Sequence, residues 1–128
     1  LGFTAADRVE NMRRLSHVAR LFTDAGLITL VSLISPYAAE RQRAREVIGE
    51  DRFVEVFVDA PVEVCMSRDP KGHYARAVSG SLTNFTGVSS NYEPPHSPDI
   101  HLRTDRIGAE EAVDMILQSM RDRKLLLS

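Results

Sequence analysis

A layered α/β domain built on a parallel sheet is the fold class this sequence predicts, and three observations carry it. Two continuous apolar runs, residues 27–34 and 53–58, are rich in β-branched side chains, as expected of strands covered on both faces. Segments of helical periodicity precede and follow each run. Capping residues, glycines and prolines fall at the joints between these segments, where they act as start and stop signals. The resulting order is helix, strand, helix, strand, helix, polar segment, strand, helix, the alternation of a parallel architecture.

Composition narrows the class further. The 128 residues are 43% hydrophobic and 27% charged, the balance of a globular chain able to bury a core. A net charge of −2 offers no basic field for nucleic acid or an anionic membrane. The single cysteine, Cys65, excludes an internal disulfide framework and fits a reducing, cytoplasmic setting. No apolar run approaches the ~20 residues of a membrane span, and no signal peptide is visible. Leu1-Gly2-Phe3, without an initiator Met, reads as the interior of a longer chain.

The first element starts at Thr4, which forms a capping-box-like pair with Asp7, Asp standing where Glu is usual. Apolar residues at Val9, Met12, Leu15, Val18, Ala19 and Phe22 then trace a helical stripe that stops at Gly26. Arg8 and Asn11 share one face near the helix start. Partial positive charge and free N–H groups there suit an anion, and a solvated basic face is the ordinary alternative.

The run 27–34 predicts the first strand and leads into Ser35-Pro36-Tyr37. Ser35 is placed to cap a helix over 36–48 with Pro36 at its first position, and Gly49 stops it. Ligands of open α/β sheets bind beyond the carboxyl ends of strands, where Ser35 sits. A Ser before Pro is otherwise only a cap.

The run 53–58 predicts the next strand. Asp59 is a candidate cap for a short helix with Pro61 in its first turn. After Arg68-Asp69-Pro70-Lys71-Gly72 comes a polar, glycine-punctuated segment ending in Asn84-Phe85-Thr86-Gly87. Strand, helix and then cations with an aromatic is the layout of a phosphate-handling lid, or else an αβ connection with solvated charges. Three prolines between Asn91 and Pro98 require an extended connector. Residues 99–102 suit a short marginal strand. Ala112, Val113, Ile116, Leu117 and Met120 predict a last amphipathic helix over 108–123.

Chemistry-bearing motifs are sparse. The sequence holds no Gly-x-x-x-x-Gly-Lys-Ser/Thr loop, no Gly-x-Gly-x-x-Gly and no zinc spacing, and His17, His73, His96 and His101 are scattered. No Ser-His-Asp set can be assembled from sequence order.

Six ordered motifs nevertheless resemble one family. They are Leu1-Gly2-Phe3, Asp7-Arg8-Val9-Glu10-Asn11-Met12-Arg13-Arg14, Ile34-Ser35-Pro36-Tyr37, the run from Phe53 to Asp59, Arg68-Asp69-Pro70-Lys71-Gly72 and Asn84-Phe85-Thr86-Gly87. Their order and spacing are those of adenylylsulfate (APS) kinases. Tyr92, Glu93 and Pro95 extend the match, which reaches about Leu102.

The resemblance implies a three-layer P-loop kinase-like domain spanning 1–128, with a lid at about 68–92 and its strand–P-loop–helix unit lying upstream of Leu1. It implies transfer of the γ-phosphate of ATP to the 3′-hydroxyl of APS, giving PAPS and ADP in sulfate assimilation. Phe3 would stack on the APS adenine, Arg8 and Asn11 would bind its phosphosulfate end and neighbouring groups, and Ile34 and Ser35 would line the site. Lys71, Asn84 and Phe85 would belong to the lid, with Phe85 opposite Phe3. Arg68 and Ile107 would lie nearer the ATP base. Ser35 is the candidate for direct contact with the transferring phosphoryl group. The resemblance also implies Mg²⁺ with ATP, and no metal ligands are visible in this chain. A homodimer, and an ATP sulfurylase partner or fusion, are the implied assemblies.

The sequence also departs from the family pattern. Where the family lid carries three cations, Ala75-Arg76-Ala77-Val78-Ser79-Gly80 keeps one, and Ser89 replaces a usual Asp. Leu33 stands for a usual Phe, and Ala38 where Arg is frequent. These changes lead to the expectation of weaker lid closure or turnover, and the missing P-loop to the expectation that the 128 residues alone are inactive. The alternatives are a non-catalytic nucleotide-binding or partner remnant, or a kinase of another small molecule.

Overall fold

The computed structural model describes residues 2, 4–81, 83, 85 and 91–126. The chain divides into two compact units, one formed by Leu1–Phe53 with Pro70–Pro94, the other by Val54–Asp69 with Pro95–Ser128.

In the first unit, helix α1 spans Ala5–Asp24. Thr4 caps it as expected: its Oγ1 accepts from the Asp7 amide at 3.1 Å and its hydroxyl donates to Asp7 Oδ2 at 2.7 Å. At the other end the Gly26 amide donates to Thr23 O and the Leu27 amide to Phe22 O, and Gly26 has φ +85°. That pair of bonds closes a Schellman end, which needs a left-handed residue.

Helix α2, Ala38–Ile48, packs against α1. Small residues allow close approach: Ser16, Ala19 and Ala44 are buried, with Ile48 beside them in sequence order at the end of α2. The buried Ser16 hydroxyl donates to Met12 O, so no polar group is stranded. Arg20 donates to the Val47 carbonyl at 2.9 Å, satisfying one of the acceptors that a helix leaves open at its C-terminus. Gly49, at φ +110°, ends α2. Arg52 pairs with Asp24 at 2.6 Å, and Arg45 lies 4.8 Å over the Phe53 ring.

Two expectations are corrected here. Residues 27–34 form no strand, because among the described residues none supplies a ladder partner. Their apolar side chains are largely exposed, Leu30 at 88%. Helix α2 begins two residues later than expected, with Tyr37 as its N-cap. Ser35 and Pro36 therefore lie outside the helix, and Ser35 does not cap it.

In the second unit, strand β1 (Val56–Asp59) pairs in parallel with strand β2 (Ile100–Arg103), Val56 opposite Ile100 and Asp59 opposite Arg103. Helix α3 spans Val62–Arg68 and helix α5 spans Ala109–Asp122. Ile100, Leu102 and Ala112 are the buried core, with Val54, Val56, Ile107 and Ile116 packed on it. Asp99 ties the strand starts to the last helix, accepting from the Glu55 amide at 2.7 Å and from Arg123 at 2.8 Å. Asp59 does not cap α3, whose N-cap is Pro61. It sits inside β1, and its carboxylate meets His101 Nε2 at 2.7 Å across the ladder, a cross-strand pairing.

The polar, glycine-punctuated segment read as a lid contains a short helix α4, His73–Val78, in the first unit. Gly72 enters it at φ +65°, a left-handed turn that favours glycine.

Candidate functional site

Helix α1 and the turn that follows residues 27–34 enclose a cleft of about 630 Å³. One face of α1 contributes Arg8, Asn11 and Arg14, spaced at helical intervals, and the turn contributes Ile34, Ser35 and Tyr37. The helix stripe that buries Ser16 and Ala19 against α2 fixes which face is left for the cleft. Of the residues singled out from sequence, Arg8, Asn11, Ile34 and Ser35 are thus brought together.

Two carboxylates also border the cleft, Asp7 and Glu40. Each has a local partner. The Thr4 hydroxyl lowers the pKa of Asp7, and Arg43 holds Glu40 at 2.6 Å. Glu10 accepts from Arg13 and Arg14 at 2.8 and 2.7 Å. Those hydrogen bonds, Arg13 first, hold its carboxyl at about 2.

The turn is strained and braced. Ser35 has φ +37°, a region that costs a non-glycine residue about 1–2 kcal/mol. Its carbonyl accepts from Arg41 Nη1 at 2.7 Å, and Arg41 Nη2 donates to the Glu93 carbonyl at 2.7 Å. Arg41 is 7% exposed. The Glu93 amide donates to Pro36 O at 2.8 Å, and Glu93 Oε2 accepts from the Ala38 amide at 2.7 Å. Sequence reasoning assigned Arg41 no role and used Glu93 only as part of a motif. Both act over distances that leave no local pattern.

The other sequence-derived residues are placed elsewhere. Lys71 is exposed and is not among the residues lining the cleft. Phe85 is half-buried, its ring edge-on to Tyr74 at 4.9 Å and to His73 at 6.2 Å. Arg68 and Ile107 belong to the second unit, where Arg68 donates to Thr104 O at 2.8 Å and Ile107 packs on the core. Phe3 and Asn84 lie outside the described residues. Among the described residues no group of three or more His, Cys, Asp or Glu side chains could hold a metal ion, and no helix is long and apolar enough to cross a membrane.

The family model for adenylylsulphate kinase matches residues 1–103. The bifunctional enzyme NodQ of Rhizobium sp. (strain N33) is 58% identical over 125 residues, which make up 98% of this chain and 19% of that protein. The adenylyl-sulfate kinase of Halothermothrix orenii is 53% identical over 123 residues, 96% of this chain and 65% of that one. Among solved structures, the Mycobacterium tuberculosis APS kinase CysC in complex with AMPPNP and APS matches with a TM-score of 0.81 at 49% identity, over 91% of this chain and 70% of that one. The chain therefore spans less than two thirds of these two curated relatives. Its α/β architecture with a parallel sheet is that of the P-loop kinase-like fold.

Proposed function

Because the chain belongs to the adenylylsulphate kinase family, we propose that it forms the acceptor side of an enzyme that moves the γ-phosphate of ATP to the 3′-hydroxyl of APS, giving PAPS and ADP. The supporting observation is the cleft in which Arg8 and Asn11 share walls with Ile34 and Ser35. The acceptor oxygen bonds to the γ-phosphorus as the bond from that phosphorus to the bridging oxygen breaks. Such a step makes little covalent demand on the protein and depends on placement and charge neutralisation.

The chain's own residues take distinct parts in this reading. Arg8 neutralises the phosphosulfate end of APS, and Asn11 hydrogen-bonds groups beside it. Ile34 gives apolar contact, and Ser35 presents its hydroxyl toward the transferring group. Lys71, Asn84 and Phe85 belong to a lid at about 68–92, and Phe3 and Phe85 orient the adenine by stacking. Arg68 and Ile107 serve the ATP base. These last assignments rest on the family resemblance. The family resemblance implies Mg²⁺ with ATP, and among the described residues no group of three or more His, Cys, Asp or Glu is placed to hold a metal ion. The bifunctional name of the NodQ relative supports association or fusion with a second enzyme domain, and the family resemblance suggests an ATP sulfurylase for it. A homodimer and a cytoplasmic location complete the reading.

The test is direct. A polypeptide that joins a Walker loop to this chain is given ATP and APS, and PAPS is measured chromatographically. PAPS is the expected product. Absence of PAPS with ATP hydrolysis on another acceptor would assign a different substrate, and absence of all phosphoryl transfer would leave a non-catalytic binding domain.

A further inference from the structure

We propose that Arg41 and Glu93 together are a latch whose work is to position Ser35 in the cleft. This rests on the kinase reading above for its consequence, though not for its geometry. The latch consists of four bonds. Arg41 donates to the carbonyls of Ser35 and Glu93, both at 2.7 Å. Glu93 donates its amide to Pro36 O at 2.8 Å and accepts the Ala38 amide on Oε2 at 2.7 Å. The contacts bracket Ser35 to Ala38 from both sides, while the residues themselves are 52 apart in sequence.

Physical necessity argues for such a device. Ser35 is held at φ +37° without being glycine, and strained backbone persists only where its surroundings over-determine it. The Tyr37 side chain makes no capping bond to α2, so the start of α2 relies on the Glu93 carboxylate for a side-chain acceptor. A guanidinium spans two carbonyls with rigid fork geometry, which a single ammonium cannot reproduce. Arg41 is buried, and its two terminal nitrogens make short charge-assisted bonds to carbonyls, which are stronger than neutral ones.

Arg41 and Glu93 are therefore positioning residues, since these four bonds run to backbone groups of the turn and connector. Displacing a reacting group by about 1 Å can lower turnover about a hundredfold. A partial loosening is expected to lower it about tenfold.

Arg41→Lys, Glu93→Ala and Glu93→Gln are the variants, because Arg41→Ala risks unfolding. Amide exchange at Ala38 and Glu93 is read in the 128-residue chain. Turnover and KM for ATP are read in the polypeptide that carries a Walker loop. In Arg41→Lys and Glu93→Ala, exchange at Ala38 should rise at least about tenfold and kcat fall about tenfold, with KM for ATP within about twofold. Glu93→Gln, which keeps an acceptor oxygen, should restore both. Unchanged exchange overturns the latch, and faster exchange with unchanged kcat overturns its role in positioning. If the unaltered polypeptide makes no PAPS, the kinase reading falls, and exchange at Ala38 alone decides whether the latch exists.

Discussion

Glu93 Oε2 accepts the amide proton of Ala38 at 2.7 Å, so the N-terminus of α2 is closed by a side chain 55 positions ahead. An acidic acceptor at a helix start also suits the positive end of the helix dipole. Ser35, three residues before the first helical residue, is thereby relieved of the capping part that its position before Pro36 suggests.

That placement separates stability from activity at Ser35. A capping Ser replaced by Ala would lose about 1 kcal/mol. Since Ser35 does not cap, Ser35→Ala is expected to melt within about 1 °C of the parent, a smaller change than the several degrees that 1 kcal/mol produces in a domain of this size. APS affinity or turnover should change. A lowered melting temperature with unaltered kinetics would remove Ser35 from the site, and complete loss of activity would point to an obligatory covalent step there.

Arg8 gives a second separation. In the polypeptide that carries a Walker loop, Arg8→Ala should weaken APS about ten- to a hundredfold, the equivalent of a charge-assisted contact of ~1.5–3 kcal/mol. ATP affinity should stay nearly constant, because Arg8 lines the cleft beside Asn11 and Ser35. Equal losses for both ligands, measured by calorimetry, would make Arg8 a structural residue.

What the sequence revealed follows from the range of each interaction. The Thr4–Asp7 cap and the Gly26 stop of α1 lie within one turn of the groups they serve, so a local pattern encodes them. Strand β1 was legible as an apolar run and β2 only as a short marginal segment, and their parallel pairing followed from the helices between them. Residues 27–34 carry the same signature, yet a ladder needs a partner, and composition cannot say whether one is present. Asp59 has the residue type and position of a helix cap, but its partner is His101, 42 residues away. At the site, Arg8 and Asn11 could be paired from their spacing on one helix. The bracing of Ser35 by Arg41 and Glu93 could not, since long-range bonds to backbone carbonyls impose no periodicity.

Glu10 provides a pH test. Hydrogen bonds from Arg13 and Arg14 lower its pKa from 4.5 to about 2. A depressed folded-state pKa adds stability that is present above the unfolded value and lost as pH falls through the folded one. The window is therefore about pH 4.5 down to about 2. Both arginines are more than half exposed, so the contribution is small and screened by salt. NMR titration should find the Glu10 carboxyl protonating near 2 at low ionic strength. Glu10→Gln should flatten the stability slope in that window. A Glu10 pKa near its ordinary 4.5 would show that the arginines do not hold it in solution.

The 128-residue polypeptide should bind APS and yet make no PAPS. Its first unit contains the whole cleft, with Arg8, Asn11, Ile34 and Ser35 on its walls, so the groups proposed to meet the phosphosulfate end of APS are already together. The donor side is different. Holding the β- and γ-phosphates requires a cradle of backbone amides with a Lys, and these 128 residues contain no Gly-x-x-x-x-Gly-Lys-Ser/Thr sequence to form one. Without that cradle the γ-phosphate is neither placed in line nor neutralised, and those two effects supply most of the catalysis of phosphoryl transfer. Calorimetry with APS should register binding that Arg8→Ala weakens, while a chromatographic assay with ATP and APS stays at background. PAPS formed by this polypeptide, free of any contaminating kinase, would mean that its own residues hold ATP and that the donor site has been looked for in the wrong place.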